Sequence, residues 1–193
     1  SFHNPSGTSR GILKQKESWF IVIVQGNKTG IGECSLIEGL SPDPVKSYEQ
    51  ILKTVCENIS DGFENLSLKL NSFPSILFGL ETAFRSFESH DPLLLFPSAF
   101  TKNKDSIAIN GLIWMGEKNF MISQIKEKIN AGFDCIKIKI GSLDFKTELD
   151  IIKNIRKEYS LKNLEIRVDA NCAFTFSEAL EKLKKLSDFS IHS

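Results

Sequence analysis

The sequence lacks the features that mark several whole classes of protein. No apolar run approaches the ~20 residues that a bilayer-spanning helix needs, so no membrane partner is expected. The 24 Lys and Arg are balanced by 24 Asp and Glu, so no net field draws the chain to nucleic acid or to an anionic lipid surface. The four cysteines, Cys34, Cys56, Cys135 and Cys172, form no CxxC pair. That argues against a structural zinc site or a redox dithiol, and for free thiols in a reducing cytoplasm. His3, His90 and His192 stand apart, with no HxxxH spacing and no acidic cluster that would make a metal site from them. The opening Ser1-Phe2-His3-Asn4 has no basic region followed by an apolar core, so it does not read as a secretory signal. These absences leave a cytoplasmic globular protein as the expectation. Hydrophobic residues at 41% suffice for a core, and 25% charged residues suffice for a solvated surface.

Two halves of different rhythm meet near Ser98–Lys104, and the predicted domains are 1–104 and 105–193. The first half opens on the turn formers Pro5-Ser6-Gly7-Thr8-Ser9-Arg10-Gly11. The β-rich run Trp19–Val24 and a partner at Lys28–Glu33 then flank a turn at Gly26-Asn27. Asp43 and Pro44 read as the cap and first residue of a helix with Tyr48, Leu52 and Val55 on one face. Pro74 starts a second helix that points Ile76, Leu80 and Ala83 inward. Strands followed by helices predict an α+β domain. The second half alternates: strands at Ile107–Met115, Cys135–Ile140 and Leu164–Ala170, helices at Glu117–Ala131, Asp144–Tyr159 and Thr175–Leu186. A further strand is predicted to begin at Phe189-Ser190-Ile191-His192. Strict alternation predicts βα units around a parallel sheet.

The chemistry concentrates on two strands. In Ile136-Lys137-Ile138-Lys139-Ile140 the isoleucines share one face and both lysines the other. Parallel sheets are covered on both faces, so two ammonium groups pointing inward need a compensating charge. Arg167-Val168-Asp169-Ala170-Asn171 repeats the pattern one unit later, with Arg167, Asp169 and Asn171 on one face. Lys139, Asp169 and Asn171 stand at the C-terminal ends of their strands, where a (β/α)₈ barrel keeps its catalytic groups. Neighbouring strands lie ~4.8 Å apart, close enough for Lys139 to meet Asp169. A purely structural buried ion pair is the competing reading, although such a pair is poor support for stability alone. Gly30-Ile31-Gly32 begins a GxG, but Ser35 stands where the motif needs a third glycine, so these read as strand glycines. Lys182, Lys184 and Lys185, beside Glu178 and Glu181, read as a solvated helix face.

Lys-x-Lys on the second barrel strand, followed by an Asp ending the third, resembles the enolase superfamily in its muconate-lactonizing branch. The α+β half is similar to that superfamily's capping domain. The runs Pro5–Gly11, Gly32-Glu33-Cys34-Ser35-Leu36, Ile109–Gly116 and Leu186-Ser187-Asp188-Phe189 resemble the o-succinylbenzoate synthase family of the Bacteroidetes type. The resemblance implies a capping domain followed by the first part of a TIM-type barrel: strands 1–3 and the start of strand 4. It implies a lyase of menaquinone biosynthesis acting on a small-molecule carboxylate. Lys139 would take the proton α to the carboxylate and then help hydroxide leave. Lys137 would contact the carboxylate and, as a second cation, ease deprotonation of its neighbour. Asp169 would be the first ligand of Mg²⁺, a hard ion suited to carboxylate oxygen. Thr8, Ser9 and Arg10 would belong to a mobile loop over the substrate, and Arg167 and Asn171 would line or support the site.

The family's further acidic ligands end strands four and five, and its second lysine ends strand six. By the same resemblance these fall after Ser193 in a whole protein of roughly 350 residues, a barrel of ~250 plus a capping domain of ~100. The expectation is therefore a truncated barrel, inactive alone, with an open strand edge that invites homo-oligomerisation or pairing through that edge. Dipeptide epimerase of the same superfamily is the alternative activity. An inactive fragment or interaction module is the alternative of another class.

Overall fold

A computed structural model describes residues 2, 6–8 and 11–193. It divides into two compact units: Lys16–Ile107, and Ala108–Ser193 grouped with the described residues before Lys16. A short antiparallel hairpin precedes the first unit, with β1 (Ser6–Thr8) paired to β2 (Gly11–Leu13). Thr8 closes that pairing opposite Gly11, while Ser9 and Arg10 lie outside the described residues.

The unit Lys16–Ile107 is built on β3 (Glu17–Gln25) and β4 (Lys28–Leu36), antiparallel across their full length. Gln25 pairs with Lys28, leaving a two-residue turn with Gly26 at φ +59°. Glycine in the first place of such a turn gives a twist that matches the strands. After a 3₁₀ turn at Val45–Ser47 come α1 (Tyr48–Glu57), a second 3₁₀ turn (Ile59–Asp61), α2 (Gly62–Ser67) and α3 (Pro74–Glu88). Alternate residues Ile21, Cys34 and Leu36 of the sheet pack with Tyr48, Ile76 and Leu80 of the helices. The sheet's other face leaves Phe20, Val22 and Val24 exposed.

Two features of this unit depart from simple local reading. Asp43 does not cap α1, because Ser47 is the residue before that helix and the 3₁₀ turn intervenes. Buried Asp43 instead reaches α3, where its Oδ1 accepts from the N–H of Ser75 (3.0 Å) and the Ser75 hydroxyl (2.7 Å). It thus satisfies a first-turn donor that has no intrahelical partner. Gly30 and Gly32 explain the closeness of α3 to β4. A Cβ on either would run into backbone of the helix, at the Ala83 carbonyl and the Gly79 carbonyl respectively.

The second unit carries β5 (Gly111–Ile113), α4 (Lys118–Asn130), β6 (Cys135–Lys139), α5 (Phe145–Glu158), β7 (Glu165–Asp169) and α6 (Phe176–Ser187). The three strands are parallel in the order β5-β6-β7. Ile113, Ile136, Ile138 and Ile166 form one core with residues of the helices, among them Met121, Ile152 and Leu186. The capping box of Thr175 and Glu178 at α6 is present. The strand predicted over Ile107–Met115 contracts to three residues, since exposed Ile107 and Ile109 have no ladder to join. Phe189–His192 is not a regular strand either, because Ser190 turns to φ +51°. It is already laid alongside β7, however, where the His192 N–H donates to the Ile166 carbonyl (2.8 Å). Lys182 is not simply solvated: its Nζ lies 4.8 Å from the Phe174 ring centre and 5.4 Å from that of Phe145.

Gly32→Ala is expected to destabilise the unit Lys16–Ile107 by about 1–3 kcal/mol or more, as overpacking against backbone does. Denaturant unfolding checks this, and a loss below about 0.5 kcal/mol, the ordinary surface value, contradicts it.

Candidate active site

The parallel register builds the site. Lys137 stands opposite Arg167 and Lys139 opposite Asp169. Ile136 and Ile138, at 0% and 1% exposure, anchor β6 in the helix-covered core. Strand alternation therefore sends both lysines to the opposite face. There Lys139 Nζ lies 2.7 Å and Lys137 Nζ 3.0 Å from the same oxygen, Asp169 Oδ2. The other oxygen, Oδ1, accepts the N–H of Asn171 at 3.0 Å. Asn171 Oδ1 in turn accepts from Lys139 Nζ at 3.0 Å. Asn171 and Cys172 both sit at positive φ, +46° and +60°. Such consecutive left-handed residues are uncommon outside glycine and gather at functional sites. They turn the chain sharply after β7 and bring Asn171 back over Lys139.

Hydrogen bonding from Lys139, then from Lys137 and the Asn171 N–H, holds the Asp169 carboxyl well below the ordinary carboxylate range, against the opposing pull of desolvation. Arg167 does not join this cluster. Its Nε and a terminal nitrogen bind Glu165 Oε1 at 2.7 and 2.6 Å. The Cys135 thiol donates to the same oxygen at 3.3 Å. Lys137 and Arg167, like charges on adjacent strands, thus lean in opposite directions along the sheet, each toward a carboxylate of β7. Sequence reading placed Lys137, Lys139, Asp169, Arg167 and Asn171 on one face, and the structure brings four of them together while pairing Arg167 elsewhere. It missed Glu165, which shares the parity of Arg167 and Asp169. It also missed Asn110 and Cys172, which line a cavity of about 530 Å³ together with Lys137, Arg167, Asp169 and Asn171. Cys172 lies past the end of its strand, and Asn110 alternates with Ile109 in the predicted strand without a charge to single it out. The Thr8 side chain lies outside the described residues, as do Ser9 and Arg10.

A hard divalent cation such as Mg²⁺ is bound through carboxylate oxygens and waters in near-octahedral geometry. Asp169 offers one such carboxylate, with the Asn171 amide oxygen nearby. Among the described residues no three His, Cys, Asp or Glu side chains gather around a common point. The donor set fits one protein ligand of the ion.

Parallel strands with intervening helices, and polar groups crowded at the strands' C-terminal ends, have the arrangement of the first part of a (β/α) barrel. The family described as Enolase C-terminal domain-like matches residues 121–192. Over those residues the chain matches the barrel domain of the enolase superfamily, as the Lys-x-Lys and Asp pattern suggested. It is similar to the o-succinylbenzoate synthase of Desulfotalea psychrophila, with 36% identity over 223 residues covering 100% of this chain and 61% of that protein. It is similar also to the crystal structure of MenC from that organism: TM-score 0.79, 33% identity, 92% of this chain and 58% of that one. The dipeptide epimerase of Cytophaga hutchinsonii, solved with Mg and the dipeptide D-Ala-L-Val, shares the fold at a TM-score of 0.68. It covers 98% of this chain and 54% of that one, at 20% identity. The chain thus spans less than two thirds of the length of these relatives.

Because its folded-state pKa is depressed, Asp169 contributes stability that is present above ~3.9, the free carboxyl value. That contribution is lost as pH falls through the lower folded value. A carboxyl NMR titration should show Asp169 still ionised at about pH 3.5. A midpoint at or above ~3.9 would contradict the paired geometry.

Proposed function

We propose that this chain is the N-terminal part of a Mg²⁺-dependent lyase of the o-succinylbenzoate synthase type, which removes a proton α to a carboxylate and eliminates water. The observation that carries the reading is the placement of Lys139 Nζ 2.7 Å from Asp169 Oδ2 at the strand ends, in a chain 36% identical along its whole length to such a synthase.

Each residue has a task in this reaction. Lys139 is the base. Its side chain is only 17% exposed, so water is kept from the amine, and β6 aims it at the strand-end mouth. The proton it takes is returned to the departing hydroxide, which leaves as water as the ring becomes aromatic. Lys137, 36% exposed and therefore more open to solvent, attracts the substrate carboxylate and holds it beside the base. Asn171 orients Lys139 through its amide oxygen. Asp169 would hold the metal, which when bound supplies positive charge to offset the negative charge developing on the substrate carboxylate. Arg167, held by Glu165, supports the wall of the cavity. Thr8, Ser9 and Arg10 are assigned to the loop that covers the substrate.

Dipeptide epimerisation is the second reading, supported by likeness to the Cytophaga hutchinsonii enzyme. It would use the same Lys139 and the same carboxylate chemistry, but a proton would be delivered to the opposite face of the carbon by the family's lysine on strand six, and no water would be released.

The test is Mg²⁺-dependent dehydration in the whole enzyme, followed by ultraviolet absorbance of the aromatic product. Lys139→Ala is expected to lower kcat by about 10²–10⁴-fold, the usual worth of general acid–base catalysis, with a far smaller change in KM. Near-normal turnover in that variant removes Lys139 from its role. Epimerised dipeptide without dehydration transfers the protein to the second reading.

A further inference from the structure

Outside the lysine and aspartate cluster, the most constrained polar group of the barrel segment is Glu148 on α5. It is 2% exposed. Its Oε1 accepts three successive backbone N–H groups, from Gly141 (2.6 Å), Ser142 (3.2 Å) and Leu143 (3.2 Å). Those residues are the loop that leaves β6 two positions after Lys139. Burial pushes the Glu148 carboxyl up from its ordinary value, and the N–H groups of Gly141, Leu143 and Ser142 pull it back. A carboxylate is therefore kept inside the protein at a cost, for the sake of this loop.

The loop is tied to the site from its other side as well. Gly141 stands at φ +102°, and a Cβ there would collide with the Ala173 side chain. The next nearest atom is the Ala170 carbonyl oxygen, at 3.2 Å. Between Lys139 and Gly141, the Ile140 N–H donates to the Asp169 carbonyl at 2.9 Å. So the loop after β6 rests on the loop that carries Asn171, and Lys139 at the end of β6 reaches that same Asn171 through its amine. The strand before shows a contrast. Gln124 of α4 holds the N–H (3.0 Å) and carbonyl (3.1 Å) of Trp114 after β5. A neutral amide serves there, beside a strand with no charged group at its end. The full carboxylate is found beside the strand that carries the base.

We propose that Glu148 is a positioning residue: by gathering the three N–H groups after β6 it fixes the height of Lys139 against Asp169 and Asn171. This rests on the reading of Lys139 as the base, but its test needs no turnover. The rate of Lys139 acylation by an amine reagent, site-resolved by mass spectrometry with Lys128 as reference, is compared among the unmutated chain, Glu148→Ala, Glu148→Gln and Gln124→Leu. Amide exchange at Gly141, Ser142 and Leu143 is followed in the same samples. Loss of the charge-assisted acceptor should speed exchange at Gly141 by about tenfold in Glu148→Gln, and by more in Glu148→Ala. Lys139 acylation should rise with it by about threefold or more. Lys128 should be unchanged in every variant, and Lys139 unchanged in Gln124→Leu. Faster exchange at Gly141 with unchanged acylation of Lys139 overturns the proposal, as does an equal rise in Gln124→Leu. If Glu148→Ala does not fold, Glu148→Gln carries both readouts. Because Lys139→Ala turnover is measured separately, the catalytic reading and the positioning reading can each fail alone.

Discussion

One carboxylate shared by two ammonium groups sets the terms for the barrel segment. Lys137 and Lys139 face away from the helix-covered core because Ile136 and Ile138 must face it. Two cations on one strand face carry a desolvation cost that apolar packing cannot offset. The parallel register places Asp169 beside them, and its Oδ2 answers both. Such a cluster is an expensive way to join two strands, since apolar side chains would serve stability as well or better. Its position at the strand ends, with Asn171 folded back over it in a disfavoured backbone conformation, is what supports the proposal of a catalytic role for these residues.

The same face shows how like charges are kept apart. Lys137 and Arg167 are direct cross-strand neighbours. At about 4.8 Å between strands they would repel if both stood upright. Acidic residues two places before and two places after Arg167 separate them, with Glu165 drawing the guanidinium one way and Asp169 drawing the ammonium the other. Charge therefore alternates along β7, and that alternation decides which group reaches the mouth. Among the described residues no helix is long and apolar enough to cross a membrane.

Period-two alternation made the inward face of β6 and β7 legible, because strand geometry leaves a lysine between two core isoleucines only one place to go. The α+β half followed by βα units was legible for the same reason. Pro74 and Thr175 marked helix starts that the structure keeps within a residue. What escaped is non-local. Asp43 reads locally as the cap of α1, yet it caps α3 from 32 residues away, a pairing no spacing rule encodes. The closeness of α3 to Gly30 and Gly32 is likewise a tertiary fact, with only the glycines themselves as a hint. Arg167 has the right parity for the cluster, but its partner depends on which carboxylate its longer side chain meets first. Glu148 sits among the charged residues of an amphipathic helix, and its sequence neighbourhood does not distinguish a loop clamp from a solvated acid.

The missing side chain at Gly141 limits how proteins built on this plan diversify. Gly141, in the loop after β6, is pressed against the loop after β7, and it and its next two residues are bound by their backbone to Glu148. Length and sequence there are constrained by neighbours on both sides. A longer loop at this strand end would have to keep these three backbone positions and take its extra residues after Leu143.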